Sequence, residues 1–237
     1  MDFINDFTLE EVKDFWDNAS EIYEGENNKI SEIHNQRFTE AIKHLDLKNN
    51  DRILNIWSRT GLAIPFLRNK NENIELHNLE VSSQMIKKAE EKFPKEKFEL
   101  TDLSKINFPN NYFDHILSLE TLEHCPRPSV FLAELNRLLK PGGKLVLSTP
   151  PAACEPLYAV YDSLGLGHGE GPHKFLSSKK VKHILLKSNF KVLEHKGTLL
   201  IPIGPIFIKE LGEKIIRKLQ HTFVSELGIR QFYVCRK

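Results

Sequence analysis

Three short stretches of this chain concentrate side chains that do chemistry. Glu120, Glu123 and His124 lie close together at the end of an apolar run. Among them the imidazole, which titrates near neutrality, is the natural proton acceptor. The alternative is that Leu122-Glu-His124 forms a short helix and packs structurally. His168-Gly-Glu170-Gly-Pro-His173 gathers two histidines and a carboxylate into one glycine-rich segment. Three ligands from one such loop rarely close a metal site, so no metal is expected. Acceptor binding or proton transfer is the better use, with Gly167, Gly169 and Gly171 as hinges, and an ordinary polar loop remains open. The third stretch is Asn55-Ile-Trp57-Ser-Arg59-Thr-Gly61, where an aromatic ring and a guanidinium precede a glycine. Cys125, Cys154 and Cys235 are odd in number and widely spaced. They fit no zinc or redox pattern and read as reduced cytosolic thiols.

The elements that must position these groups can be read from periodicity. The first fifty residues predict two helices, with Ile30, Ile33, Phe38, Ala41, Ile42 and Leu45 on one face. Lys48-Asn-Asn-Asp51 is a turn, and Arg52 to Trp57 is a short apolar strand. Strands and helices then alternate. Strands are predicted at Glu75 to Glu80, Lys97 to Thr101, Asp114 to Leu119 and Gly143 to Ser148. Helices are predicted at Ser82 to Phe93 and Ser129 to Lys140, the second ended by Pro141-Gly-Gly143. The segment from Pro150 to Lys174 lapses into Pro, Gly, His and small residues and reads as a lid or substrate loop. A helix over 177–188, a strand near Lys191 to His195, a helix near Ile206 to Gln220 and an edge strand at Gln231 to Cys235 close the chain. This alternation predicts a doubly wound, mostly parallel α/β sheet, whose ligands bind beyond the carboxyl ends of the strands.

Composition narrows the function classes. With 33 basic and 32 acidic residues the net charge is +1, so no global field recommends a nucleic-acid partner. The distribution is uneven, because residues 174–237 hold 14 basic and 4 acidic side chains. That excess is either a solvated face or a region that meets phosphate or anionic lipid. Leu199 to Ile208, which leads into a basic amphipathic helix, either roofs a pocket or faces lipid. The start lacks a signal-peptide pattern, and no segment nears the roughly 20 apolar residues of a membrane span. The expected location is cytoplasmic, in solution or peripheral to a membrane.

From about Trp16 to Pro151 the chain resembles the class I S-adenosylmethionine-dependent methyltransferases, in the small-molecule group called type 11. The resemblance rests on Asp102-Leu-Ser-Lys-Ile-Asn-Phe-Pro-Asn-Asn-Tyr-Phe-Asp114, on Ile116-Leu-Ser-Leu-Glu-Thr-Leu-Glu-His124 and on Glu134-Leu-Asn-Arg-Leu-Leu-Lys-Pro-Gly-Gly143. Leu145-Val-Leu-Ser-Thr-Pro150 continues it, and Phe15-Trp-Asp17, Ala19 and Tyr23 look like the family's capping helix. The resemblance implies a Rossmann-like sheet of seven strands with an N-terminal helical cap. It implies a single domain: cap 1–50, cofactor-binding core 51–150, and insertion with substrate-side region 151–237. It also implies that Glu80, at the end of the second strand, takes the ribose hydroxyls of the cofactor. Asp102 would contact the adenine amino group, with Leu103 beside it.

The departure lies in the first motif, which in this family reads acidic-x-Gly-x-Gly-x-Gly. Here Asn55, Trp57 and Arg59 replace the acid and the first two glycines, and Gly61 remains. In one reading the loop is rebuilt: Arg59 clamps the methionine carboxylate, and Trp57 packs beneath it or faces the sulfonium. The expected function is then methyl transfer from S-adenosylmethionine to a small-molecule acceptor such as a sugar, a quinone or an anionic, lipid-linked precursor. His124, Glu120, His168 and His173 are the candidate acid–base residues. In the other reading the fold is a catalytically silent binding or regulatory protein.

Overall fold

The computed structural model describes residues 3–29, 31–163, 169–202 and 204–237. Ile30, Gly167 and His168 lie outside the described residues. Helices α1 (Leu9–Lys29) and α2 (Ser31–Ile42) precede β1 (Arg52–Ile56). Then follow α3 (Ile64–Lys70), β2 (Glu75–Glu80), α4 (Ser83–Lys92), β3 (Phe98–Leu100), β4 (Phe113–Leu119), α5 (Pro128–Leu138) and β5 (Leu139–Thr149). The last third holds α6 (Glu155–Ser163), α7 (Ser178–Lys187), β6 (Lys191–Thr198), α8 (Ile206–Lys218) and β7 (Arg230–Arg236).

The seven strands form one sheet in the order β3-β2-β1-β4-β5-β7-β6. β1 to β5 pair in parallel, while β7 runs antiparallel to both β5 and β6. Successive strand residues point to opposite faces, and both faces are covered. Leu54, Ile116, Leu145 and Tyr233 enter one core with α1, α4, α5 and α7. Their neighbours Ile53, Leu117, Val146 and Phe232 enter the other with α2 and α3. This two-sided burial is why the central strands β1 and β5 read as apolar runs and not as alternating ones.

Two expectations are corrected. Gln231 to Cys235 is not an edge strand, because β7 lies between β5 and β6 with Arg230 to Cys235 all buried; the edge is β6, whose outer half is largely accessible. The segment from Pro150 to Lys174, expected as a lid or substrate loop without regular structure, contains the helix α6 at Glu155–Ser163. The carboxyl ends of β1, β2, β4 and β5 share one edge of the sheet, and the chemistry-bearing residues collect there. If β7 is interior, amides of residues 231–235 should exchange hydrogen only on global unfolding. Those on the open side of β6 should exchange orders of magnitude faster, as native-state exchange by NMR would show.

Candidate active site

The turn after β1 keeps a glycine-type backbone without the glycines. Trp57 (φ +59°), Arg59 (φ +52°) and Gly61 (φ +80°) all lie in the left-handed region, which costs a residue with a Cβ about 1–2 kcal/mol. At Gly61 a Cβ would stand 2.8 Å from the Phe93 ring, so the one retained glycine is sterically required. Glu80 holds the turn in place. Its Oε2 accepts from the Arg59 amide at 2.6 Å, and its Oε1 accepts from the Val81 and Ser82 amides at 2.9 and 3.1 Å. Burial pushes the Glu80 carboxyl above the usual carboxylate range, against the pull of the Arg59 charge and these amides. Asn55 is tied sideways, its Nδ2 donating to Asn78 Oδ1 at 2.9 Å.

Arg59 is the unusual group. Its guanidinium carbon sits 3.5 Å from the centroid of Trp16 and 4.3 Å from that of Trp57. The side chain is buried, and its Nη1 has no hydrogen-bond partner among the described residues. Burial therefore lowers its pKa, against the attraction of Glu80. Buried polar groups are normally hydrogen-bonded, so this Nη1 has donor capacity left over for a ligand. It borders a small cavity of about 50 Å³ lined also by Tyr23, Arg37, Asn55, Trp57, Glu120 and His124.

The structure gives the remaining candidates distinct states. His124 is buried, with its ring against Trp16, Trp57 and His173. Its Nδ1 lies 3.0 Å from the Pro172 carbonyl, which can only accept, so Nδ1 carries the proton and Nε2 a lone pair. Burial and then the Arg59 charge push its pKa down to about 3. Glu120 is no free base. It pairs with Arg37, and its Oε1 accepts from Arg230 Nε at 2.5 Å. Burial would raise its pKa, but the charges of Arg230 and Arg37 outweigh this and hold it far below the carboxylate range. His173 accepts a place beside this group, with Nδ1 2.8 Å from the Gly171 carbonyl and its ring 4.6 Å from that of Phe175. Glu123 turns away from the cavity and is buried, which raises its pKa well above the ordinary value.

Arg37 and Arg230 were not singled out in the sequence. The available signal was an arginine on the otherwise apolar face of α2, between Ile33 and Ala41, and another heading the apolar run of β7.

Asp102 and Leu103 fall at a separate cavity of about 280 Å³, with Leu9, Ser104, Cys125, Pro126, Arg127 and Phe131. Asp102 Oδ1 accepts from the Ser104 amide at 2.7 Å. The two cavities meet along the chain at His124 and Cys125, and α1 crosses both, with Leu9 at one and Trp16 and Tyr23 at the other. Asp17 fastens α1 to α4, accepting from Ser82 Oγ at 2.5 Å and from the Gln84 amide at 3.1 Å. The arrangement thus has two parts: a cavity beside the Asp102 carboxylate, and a smaller one bordered by the Arg59 guanidinium. Neither cavity alone reaches the roughly 300–1,000 Å³ of a ligand cleft.

Comparison with known proteins agrees with the architecture. Residues 54–147 match the type 11 family described as "Methyltransferase domain". The ubiquinone/menaquinone biosynthesis C-methyltransferase of Paraburkholderia xenovorans is 28% identical over 128 residues, 52% of this chain and 52% of that protein. The 2-methyl-6-phytyl-1,4-hydroquinone methyltransferase of Synechocystis is 35% identical over 82 residues, 33% of this chain and 26% of that protein. The chain thus spans about half the length of the first relative and less of the second. In fold it is similar to a chain of the complex between the Haloferax volcanii Trm112 methyltransferase activator and a methyltransferase. The TM-score is 0.69 at 18% identity, covering 93% of this chain and 96% of that one. It is also similar to Haemonchus contortus phosphoethanolamine N-methyltransferase 2 bound to S-adenosylhomocysteine, with TM-score 0.63, 15% identity, and 85% and 52% coverage.

Two outcomes follow from the charge states. Glu120→Ala should cost about 3 kcal/mol of unfolding free energy at neutral pH, read by urea denaturation, because it strands two buried guanidinium groups. The folded pKa of Glu120 is depressed, so its contribution is present above the unfolded value of about 4.3 and is lost as pH falls below it. Glu120→Gln should lack that acid-side component. For His124, folded imidazole resonances should show no titration between about pH 5 and 8; a midpoint in that window would contradict the buried neutral ring.

Proposed function

We propose that this chain, a class I methyltransferase of the type 11 group by fold and family, transfers a methyl group from S-adenosylmethionine to a small-molecule acceptor. The observation that carries this reading is the buried Arg59 guanidinium, whose Nη1 has no hydrogen-bond partner among the described residues, set in a turn that keeps the backbone shape of a glycine-rich motif. We assign the cofactor's carboxylate to Arg59, with Tyr23, Asn55, Trp57 and Gly61 shaping that end. Asp102 and Leu103 would receive the adenine. Glu80, which is fully buried and lines neither cavity, would serve the cofactor by holding the turn after β1 in shape.

When bound, the cofactor supplies a methyl group activated by a sulfonium. The task of the chain's own residues is alignment and exclusion of water. Trp16 and Trp57 wall the small cavity, and α1 covers it. His124, neutral with a lone pair on Nε2, is suited to orienting an acceptor's N–H or O–H and is too weakly basic to deprotonate it at neutral pH. Glu120 fixes the floor through its two arginines. Glu170 and His173 place residues 151–237 on the acceptor side, residues 51–150 hold the cofactor, and residues 1–50 form the cap. The quinone-methylating relatives favour an apolar ring as acceptor, and the basic C-terminal region favours one with an anionic or lipid-linked portion.

A second reading has its own support. Trp57 and Arg59 fill the cleft to about 50 Å³, as a silent binding protein on this scaffold would have it. Titration calorimetry with S-adenosylhomocysteine separates the two. The enzyme reading expects binding, and Arg59→Ala should weaken it by about 10- to 150-fold, from the roughly 1.5–3 kcal/mol of a charge-assisted contact. A parent that does not bind, together with a Trp57→Gly, Arg59→Gly variant that does, would overturn the proposal.

A further inference from the structure

The segment between β6 and β7 leaves and returns at the edge of the sheet that carries the site. Thr198, the last residue of β6, pairs with Arg230, the first of β7, and Gln231 pairs with Thr149 at the end of β5. Residues 199–202 and 204–229 therefore project from the carboxyl edge, and they carry α8.

Helix α8 packs by a narrow face and presents a broad one to water. Gly212 and Ile216 are buried, Gly212 so closely that a Cβ would stand 3.1 Å from Ile201. On the other side Phe207, Leu211, Ile215 and Leu219 follow one another at i, i+4 spacing and are 66%, 53%, 37% and 36% exposed. Ile206, Phe223 and Leu227 extend the surface at 61%, 76% and 56%. Large apolar side chains gathered in this way on one exposed helix face mark an interaction surface.

Charge selects the partner. Lys214 and Lys218 sit three residues beyond Leu211 and Ile215, on the flank of the stripe, and Arg217 lies beside them. None of the three makes an ion pair with a described residue, whereas Lys209 is paired with Glu32. The acids of the helix do not cancel them: Glu213 turns inward to accept from the Leu199 amide at 2.5 Å, which leaves Glu210. An apolar stripe flanked by uncompensated cations is the pattern of a helix that lies in the lipid interface, apolar face among the acyl chains and cations at the phosphates. No described helix is long and apolar enough to cross a membrane, so the contact is peripheral.

We propose that residues 206–227 dock this protein on an anionic lipid bilayer, with the carboxyl edge of its sheet toward the membrane. The argument is independent of the methyltransferase reading, and so is its test, which involves neither cofactor nor turnover.

The full chain is sedimented with vesicles of phosphatidylcholine containing about 30% phosphatidylglycerol, and with vesicles of phosphatidylcholine alone. Binding to the anionic vesicles is expected, weaker on the neutral ones and reduced by salt. Phe207→Glu with Leu211→Glu should lower the partition coefficient by roughly tenfold or more. Lys214→Glu with Lys218→Glu should remove the preference for anionic lipid. All four positions are accessible, so thermal unfolding of the variants should match the parent. Failure of the folded parent to bind anionic vesicles would overturn the proposal, as would binding indifferent to Phe207→Glu with Leu211→Glu. A dimer in sedimentation velocity that this same pair of substitutions dissolves would also overturn it, by assigning the face to a second copy of the chain.

Discussion

The turn between β1 and α3 is held by one buried carboxylate. Glu80 gathers three amides around its two oxygens, and this compensates a backbone that places two bulky residues at positive φ. Without that anchor, Trp57 and Arg59 would relax toward ordinary dihedrals. With it, their side chains are driven into the cleft beneath α1. The size of the small cavity, the stacking of Trp16 on the guanidinium and the neutral state of His124 all descend from this arrangement.

The cleft also shows how differently two buried charges are treated within one site. Glu120 receives two guanidinium partners and joins α2, the end of β4 and the start of β7. This is a structural use of charge, which rigidifies the floor and makes its carboxylate a poor base. Arg59 receives aromatic faces and no hydrogen bond from its buried Nη1 to a described residue. An unsatisfied cation in a low-dielectric setting is costly in the free protein and correspondingly attractive to an anion. The fold thus neutralises Glu120 with two direct guanidinium contacts and leaves the Arg59 Nη1 without a hydrogen bond among the described residues.

The C-terminal third adds a second surface at the same edge of the sheet. β6 and β7 are antiparallel neighbours that a short hairpin could join, yet residues 199–229 intervene and carry an accessible apolar stripe flanked by cations. The cleft beneath α1 and the exposed face of α8 therefore belong to the same edge of the sheet.

Much of this was legible in the sequence. The alternation of apolar runs with amphipathic segments determined the sheet, because strands buried on both faces must read as continuous Val, Ile and Leu. The linked motifs from Asp102 to Pro150 carried the resemblance to the type 11 methyltransferases, whose family model matches residues 54–147. The loss of two glycines marked the turn at Asn55 to Gly61 as the place of departure. Tertiary structure alone decided the rest. Gln231 to Cys235 became interior because β6 adds outside it, a choice among sheet neighbours that a strand's own residues do not encode. Glu120 became an ion-pair centre because Arg37 and Arg230, 83 and 110 residues away in the chain, converge on it. His124 lost its basicity because Trp16, Trp57 and Arg59 close around it. Pairing and desolvation depend on distances between residues remote in sequence, so the chemistry of a buried group is set only once the chain has folded.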